Sequence, residues 1–196
     1  IRNVLNFMSR SSPSKKEENL ASLGKKECDR MAKMIRGLRD FYKPTSGNFC
    51  SIDINQCLEE VLILQNNSLA EKYIQVNKEF SDNLPVVEVV EDQIKQVILN
   101  LVQNAADSIS GEGQITLTTE KQDSHLKIKI QDTGCGISAD DKKNLFEPFY
   151  TTKNAEQGTG LGLSISHGII HDHGGNIGVK SELNEGTTFT VSLPIK

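Results

Sequence analysis

Two asparagines on one helix are the first residues here whose type and spacing suggest chemistry. Asn100 and Asn104 stand four residues apart in the apolar stretch 96–109, so a helix would place both amides on one face. Amide oxygens are hard ligands of the kind Mg²⁺ takes, and an amide near a core needs water, a partner or a ligand. A solvated stripe on an amphipathic helix is the alternative for this stretch taken alone.

Two glycine-containing segments further along the chain suit a nucleotide. Asp132-Thr-Gly-Cys-Gly136 follows a strand pattern, where a carboxylate can accept a hydrogen bond from an amine in a pocket. Gly158, Gly160 and Gly162 precede a helix, where bare backbone N–H groups suit phosphate oxygens. Their GxGxG spacing is neither a dinucleotide fingerprint nor a P-loop. An ordinary Asp-Gly turn and a flexible loop are the alternatives.

A segment with aromatic residues and a lysine lies between the two glycine-containing segments. Residues 146–153 read F-E-P-F-Y-T-T-K, which combines apolar anchors with a cation before a polar stretch. That pattern is typical of a mobile cover over a nucleotide, and equally of a surface loop pinned by aromatic side chains.

Three histidines invite comparison with a metal site. His167 and His171 share a helix face, but no glutamate follows the first and no third ligand cluster is present. We therefore expect these two and His173 to occupy exposed positions near a helix C-terminus, which suits their charge.

The elements that must position these residues alternate between strand and helix. From residue 49 onward the order predicts an α/β (α+β) fold, a two-layer sandwich of a mixed sheet with helices on one face. Before it, a narrow apolar stripe over 18–42, after a short helix at 1–10, favours packing against another helix, and 44–48 reads as a linker. We predict domains at 1–45 and 46–196. The predicted strands are 49–54, 74–80, 86–90, 114–120, 125–132, 176–180 and 187–195; the predicted helices are 55–72 with Asn55 as cap, 91–109, 138–146 and 161–173.

Composition narrows the function classes. The 196 residues carry 22 basic and 26 acidic side chains, a net charge of −4, which predicts no binding to nucleic acid or anionic lipid. The four cysteines form no CxxC pair and predict neither a zinc site nor a disulfide framework. No apolar run has membrane-spanning length. With no initiator Met, we expect a soluble cytoplasmic piece of a longer protein, whose own membrane attachment the sequence leaves open.

In order, these motifs resemble one family, the ATP-binding catalytic domain of sensor histidine kinases, which shares a superfamily with gyrase B, MutL and heat-shock chaperone ATPases. The resemblance covers about 49–196 and implies an α/β sandwich that holds ATP or ADP with Mg²⁺ beneath a flexible lid. The matching segments are Q-x3-N-L-x-x-N-A, D-T-G-C-G-I, F-E-P-F, G-T-G-L-G-L, H-G-G and E-G-T-T-F.

The resemblance also implies residue roles. Asn104 would hold Mg²⁺ through its side-chain oxygen, and Asn100 would contact the metal or the phosphates. Asp132 would accept from the adenine amine, Thr188 would support that network, and Lys153 would reach the terminal phosphate. The other residues implied to bind ATP are Asp107, Gly134, Gly136, Ile137, Phe149, Thr152, Gly158, Thr159, Gly160, Leu161, Gly162 and Leu163.

One departure from the family pattern concerns the end of the asparagine helix. Asp107 and Ser108 stand where many members carry a basic residue and an aromatic one. The pair resembles the nitrogen-regulation type of sensor kinase and leaves one phosphate or adenine contact unassigned.

Residues 1–44 resemble the end of the dimerisation and phosphotransfer hairpin. The chain begins I-R-N, as in the family's H-E-I-R-N, so the acceptor histidine is expected just before Ile1. None of the four histidines present matches that motif, and we expect no autophosphorylation. The resemblance implies a homodimer through residues 1–44 in the full-length protein and a response-regulator receiver domain as partner, with no membrane contact by this segment.

Three functions follow as hypotheses. The first is an ATP-dependent protein-histidine kinase, which passes the γ-phosphate to a histidine for relay to a receiver aspartate. The second is an ATP hydrolase or nucleotide-gated clamp of the same superfamily, but such relatives usually place a water-activating glutamate at the position of Asn100. The third is a binding module without nucleotide, against which the glycine loop and both asparagines argue.

Overall fold

A computed structural model describes residues 21–28, 31–32, 47–153 and 158–195. The chain divides into two compact units: Ile1–Pro44 with Phe149–Leu161, and Thr45–Pro148 with Gly162–Lys196. In the first unit, residues 21–28 and 31–32 are helical, as the sequence predicts. The helix predicted at 1–10 and the rest of the one predicted at 18–42 lie outside the described residues. The domain boundary at 45/46 stays a prediction.

The second unit alternates strand and helix in the predicted order. Its helices are α1 (Ile54–Glu71), α2 (Glu91–Ser108), α3 (Asp141–Asn144) and α4 (Gly162–Asp172). Its strands are β1 (Cys50–Ile52), β2 (Ile74–Phe80), β3 (Val87–Val89), β4 (Gly113–Gln122), β5 (His125–Asp132), β6 (Asn176–Glu182) and β7 (Gly186–Pro194).

Five of the strands form one mixed sheet with a single buried face. The order is β2-β4-β5-β7-β6, with β2 and β4 parallel and the other pairs antiparallel, while β1 and β3 form a separate antiparallel pair. Alternate residues of each strand point into the core, and α1, α2 and α4 contact the sheet. The prediction of a mixed sheet with helices is confirmed. Core residues of the central strands are Ile115, Leu117, Leu126, Ile128, Ile130, Phe189, Val191 and Leu193.

Of the described helices, α2 has the largest number of buried residues. Its apolar stripe, which recurs at three- and four-residue spacing, lies against the sheet and α4. Glu91 and Asp92 place negative charge at its positive N-terminal end, although Val90, the N-cap residue, supplies no side-chain cap. The buried residues of the stripe are Ile94, Val97, Ile98, Leu101, Val102, Ala105 and Ala106.

His173 supplies a hydrogen bond at the start of α2 and corrects one prediction. It is 6% exposed, whereas the sequence predicted an exposed position. Its Nε2 accepts from the Val90 N–H at 2.9 Å, and its Nδ1 lies 2.7 Å from the Ile169 carbonyl oxygen. These contacts require the neutral tautomer with the proton on Nδ1. The prediction failed because the contact with Val90 joins residues 83 positions apart, which no local pattern reveals.

Two helix ends also differ from the prediction. Asp53, not Asn55, caps α1, because its carboxylate accepts from the N–H groups of Asn55 and Gln56. The Asn55 side chain instead bonds the Ser81 carbonyl and the Thr119 hydroxyl. Helix α3 ends at Asn144 rather than near 146. The Glu147 N–H donates to the Asn144 carbonyl oxygen three residues earlier, which closes a tighter turn than that of an α-helix.

We predict that His173→Ala lowers the free energy of unfolding by about 2 kcal/mol, because the buried Val90 N–H loses its acceptor. Urea denaturation measures this effect. The matched control is His171→Ala, whose side chain is 81% exposed and should change the stability little. Equal stability of the two variants would contradict the assigned role of His173.

Candidate functional site

A buried carboxylate stands where the end of β5 meets the end of α2. Asp132 is 3% exposed, and its Oδ1 accepts from the Ser108 hydroxyl at 3.0 Å and from the Gly134 N–H at 2.8 Å. Burial raises the pKa of Asp132 above its ordinary value, and hydrogen bonds from Gly134, Ser108 and the Thr187 backbone partly offset that rise. A carboxylate held in this way can accept a hydrogen bond from a ligand.

The glycines after Asp132 are required by close packing. A Cβ on Gly134 would lie 2.0 Å from the Ser108 Oγ and 2.8 Å from the Asp132 Oδ1. Gly136 has a φ of +69°, and a Cβ there would lie 1.9 Å from the Glu182 carbonyl oxygen. The segment therefore turns closely, as the sequence predicted.

Of the two threonines at the start of β7, Thr187 lies beside Asp132, and the role implied for Thr188 stays a prediction. Thr187 pairs with Asp132 across the strands and is 4% exposed, whereas Thr188 pairs with Gln131 on the opposite face. Phe189 is a core residue, and the period of two places Thr187 rather than Thr188 on its face. The motif E-G-T-T-F contains both threonines. The alternation of side chains along a strand was the sequence feature that could have indicated which threonine shares a face with Phe189.

Hydrogen bonds also hold the far side of this turn. The Ile137 N–H donates to the Ser181 Oγ at 2.8 Å, and the Ser181 hydroxyl lies 2.9 Å from the Thr187 Oγ1. The half-buried side chains of Ile137 and Leu163 pack against the core. Ser181 of β6 thereby connects the Ile137 backbone with Thr187 of β7.

Asn100 lies against the first residue of α4. Its Nδ2 donates to the buried Ser166 hydroxyl at 2.9 Å, which is the contact that assigns the amide's orientation. A Cβ on Gly162 would lie 2.3 Å from the Asn100 Oδ1, so a larger residue there would displace the Asn100 amide. Asn104 is half-buried one turn further along α2, on the same face.

The donor set of α2 suits Mg²⁺. Two amide oxygens one turn apart are hard ligands, and Mg²⁺ bound to phosphates takes few ligands from a protein. The part of the chain that the structure describes holds no group of three or more His, Cys, Asp or Glu side chains that could bind a metal. The two asparagines of α2 stay the predicted Mg²⁺ ligands.

Asp107 contacts two other side chains of the protein, and its implied role in binding ATP stays a prediction. Its Oδ1 lies 2.8 Å from the Lys72 Nζ and accepts from the Gln103 amide at 2.9 Å. The Lys72 Nζ also donates to the Ala106 carbonyl oxygen at 3.2 Å, near the end of α2. The neighbouring Ser108 contacts Asp132 instead, and sequence reasoning missed it because only the fold brings these two residues together.

The segment 149–161 belongs to the first unit. The Phe149 N–H donates to the Gly160 carbonyl oxygen at 2.9 Å, and both residues have a φ of +68°. A Cβ on Gly160 would lie 2.3 Å from the Phe149 carbonyl carbon. Described residues in the polar part of the segment, which include Thr152, Lys153, Gly158 and Thr159, are neither helix nor strand, as predicted.

Among the helices that the structure describes, none has the length and apolar character needed to cross a bilayer.

Comparisons with known proteins identify the family of this chain. Residues 89–196, more than half of the chain, match the family model described as histidine kinase-, DNA gyrase B-, and HSP90-like ATPase. Over 196 residues the chain is 34% identical to the sensor histidine kinase ZraS of Escherichia coli K12. The aligned region covers 100% of this chain and 42% of ZraS. AtoS of the same strain, a signal transduction histidine-protein kinase, is also 34% identical over 196 residues, 32% of its length. The chain thus spans less than half of these curated relatives.

A solved structure shows the same relationship. The catalytic domain of histidine kinase ThkA is 35% identical with a TM-score of 0.68, over 74% of this chain and 95% of that domain. A ThkA structure in complex with the response regulator TrrA is 27% identical with a TM-score of 0.77, over 99% of this chain and 56% of that one. From its motifs, its fold and these matches, the chain belongs to the family of histidine kinase-, DNA gyrase B- and HSP90-like ATPases, in its histidine kinase branch.

Proposed function

We propose that this chain is the ATP-binding catalytic part of a sensor histidine kinase, which transfers the γ-phosphate of ATP to a histidine of a dimerisation helix. The observation that carries the proposal is the arrangement on α2. Ser108 at the end of this helix contacts the buried carboxylate of Asp132, while Asn100 and Asn104 occupy the middle of the same helix. One rigid element thus bears groups suited to a base and groups suited to phosphates.

The Asp132 carboxylate would read the adenine base. An ionised carboxylate only accepts hydrogen bonds, so it suits the 6-amino group of adenine. The Ser108 hydroxyl and the Gly134 N–H both donate to the Asp132 Oδ1, and Oδ2 is the atom that we assign to the base. Gly134, Gly136 and Ile137 would line the base, with Thr187 in the role first given to Thr188.

Asn104 would hold Mg²⁺ through its Oδ1, and Asn100 would contact the metal or the phosphates. Bound Mg²⁺ would neutralise charge on the phosphate oxygens. Gly162 begins α4, an eleven-residue helix whose N-terminal N–H groups suit phosphate, and Leu163 follows it. The Ser166 hydroxyl holds the Asn100 amide in place.

The residues in 149–161 enter the proposal on their motif alone. Lys153 would neutralise charge on the γ-phosphate, and the backbone N–H groups of Gly158 and Gly160 would bind phosphate oxygens. Phe149, Thr152, Thr159 and Leu161 complete the predicted set. Asp107 is omitted, because its carboxylate already contacts Lys72 and Gln103.

Transfer to histidine is favoured over hydrolysis by the residue at position 100. An amide has no basic lone pair with which to remove a proton from water, and the Asn100 Nδ2 is engaged by Ser166. In the transfer, a histidine nitrogen bonds the γ-phosphorus as its bond to the bridging oxygen breaks, and ADP leaves. Positioning and charge neutralisation supply most of the catalysis for such a step.

The partners follow from the same proposal. A receiver domain of a response regulator would take the phosphate onto an aspartate, a partner class also present in the ThkA–TrrA structure. Residues 1–44 would form part of a homodimer in the full-length protein.

We predict that Asp132→Asn lowers ATP affinity roughly 100-fold, measured by calorimetry with Mg²⁺, because an amide N–H₂ would face the amino group of the base. The variant should still fold. Burial raises the Asp132 pKa, so ionisation of this carboxyl lowers the stability of the fold as the pH rises from the ordinary pKa of aspartate through the raised value. The melting temperature of the nucleotide-free variant at neutral pH should therefore be no lower than that of the wild type.

The matched control is Asp123→Asn, an exposed residue of the β4–β5 turn with a φ of +54°, which asparagine also adopts readily. It should leave ATP affinity unchanged. Full ATP affinity in Asp132→Asn would overturn the assignment of the adenine contact.

We further predict phosphate transfer in trans. The chain is incubated with γ-labelled MgATP and a separate helical hairpin that carries the family's H-E-I-R-N histidine. Label on the hairpin that is acid-labile and alkali-stable is the expected result, and Asn104→Ala should abolish it. Free phosphate without labelled hairpin would favour the hydrolase alternative. A failure to bind nucleotide would contradict both functions.

A further inference from the structure

Ser108 is the one side-chain hydroxyl that bonds the Asp132 carboxylate among the described residues. Its Oγ lies 3.0 Å from the Asp132 Oδ1 and 2.8 Å from the Ala105 carbonyl oxygen, so a single proton has two acceptors within reach. A hydrogen bond to an ionised carboxylate is about twice as strong as one to a neutral carbonyl. While Asp132 is ionised, the proton is therefore directed to Oδ1.

Packing restricts where this hydroxyl can go. A Cβ at Gly134 would lie 2.0 Å from the Ser108 Oγ and 2.6 Å from the Ser108 Cβ, so the Gly134 backbone packs directly against the Ser108 side chain. The Cys135 N–H also donates to the Ser108 carbonyl oxygen at 3.1 Å, which ties the loop to the end of α2. Ser108 is thus held between the helix and the turn that carries Gly134.

Two of the three donors to Asp132 converge on one oxygen. Ser108 and Gly134 both donate to Oδ1, which restricts the rotation of the carboxylate, and the Thr187 backbone is the third donor. In that state Oδ2 offers lone pairs only, which suit an amino group and repel a carbonyl oxygen.

We propose that Ser108 is a positioning residue that determines base specificity: its hydroxyl, 3.0 Å from the Asp132 Oδ1, holds that carboxylate oriented as an acceptor, so that the site takes 6-aminopurine nucleotides and rejects 6-oxopurine nucleotides. The inference rests on the proposed function, since it assigns a residue to the recognition of ATP. It adds the Ser108 hydroxyl of α2 to the site. At this end of α2, the departure from the family pattern left one phosphate or adenine contact unassigned.

The ionisation of Asp132 supports this role. Burial raises the Asp132 pKa, and the Ser108 hydroxyl is one of three groups that lower it. Without the hydroxyl, the carboxyl takes up a proton more readily. A protonated carboxyl donates a hydrogen bond and can therefore face the carbonyl oxygen of a 6-oxopurine.

The test compares ATP with inosine triphosphate, which has the same phosphates and ribose but a carbonyl group at C6. Both are titrated with Mg²⁺ into the wild type, Ser108→Ala and the control Ser110→Ala, an exposed serine two residues beyond the helix end. We expect the wild type and Ser110→Ala to prefer ATP equally, and the preference to fall by roughly tenfold in Ser108→Ala.

The ratio of the two affinities separates the outcomes. A merely structural role for Ser108 would weaken both nucleotides alike, and the ratio does not depend on the folded fraction of the variant. An unchanged ratio in Ser108→Ala, or an equal fall in Ser110→Ala, would overturn the specificity role while leaving the kinase proposal intact. If the wild type bound neither nucleotide, the proposed function itself would fail.

Discussion

The burial of α2 between the sheet and α4 is the interaction on which the rest of this unit depends. Each large apolar side chain of its stripe contributes roughly 1.5–3 kcal/mol by leaving water, and seven residues of the helix are buried. Both ends are tied by contacts distant in sequence: His173 at Val90, and the Cys135 N–H at Ser108. The helix therefore has little freedom to slide or tilt.

This rigidity explains how the candidate site is built. Asn100 and Ser108 are eight residues apart, about 12 Å along a helix axis, so one element fixes the spacing of the phosphate and base ends. Asp132 comes from the sheet and Gly162 from α4, and each packs directly on an α2 side chain. Gly134 and Gly162 allow these elements to pack closely, because a Cβ at either position would force the Ser108 or the Asn100 side chain to move.

Sequence periodicity predicted the order of the elements well, because strands and helices bury their apolar faces with different periods. It failed where a long-range contact decided the outcome. His173 looked like an exposed helix-end residue, and Ser108 looked like a departure from the family pattern, until the fold brought them to Val90 and Asp132. Asn55 was an error of two positions at a helix cap. In β7, the buried Phe189 indicates that Thr187, two residues before it, lies on the buried face.

The most direct measurement of the central claim is a crystal structure of this chain with Mg²⁺ and a non-hydrolysable ATP analogue. The account predicts the adenine 6-amino nitrogen within hydrogen-bonding distance of the Asp132 carboxylate, Ser108 still bonded to that carboxylate, and Mg²⁺ ligated by the Asn104 amide oxygen. A base bound away from Asp132, or a metal held without either asparagine of α2, would contradict it.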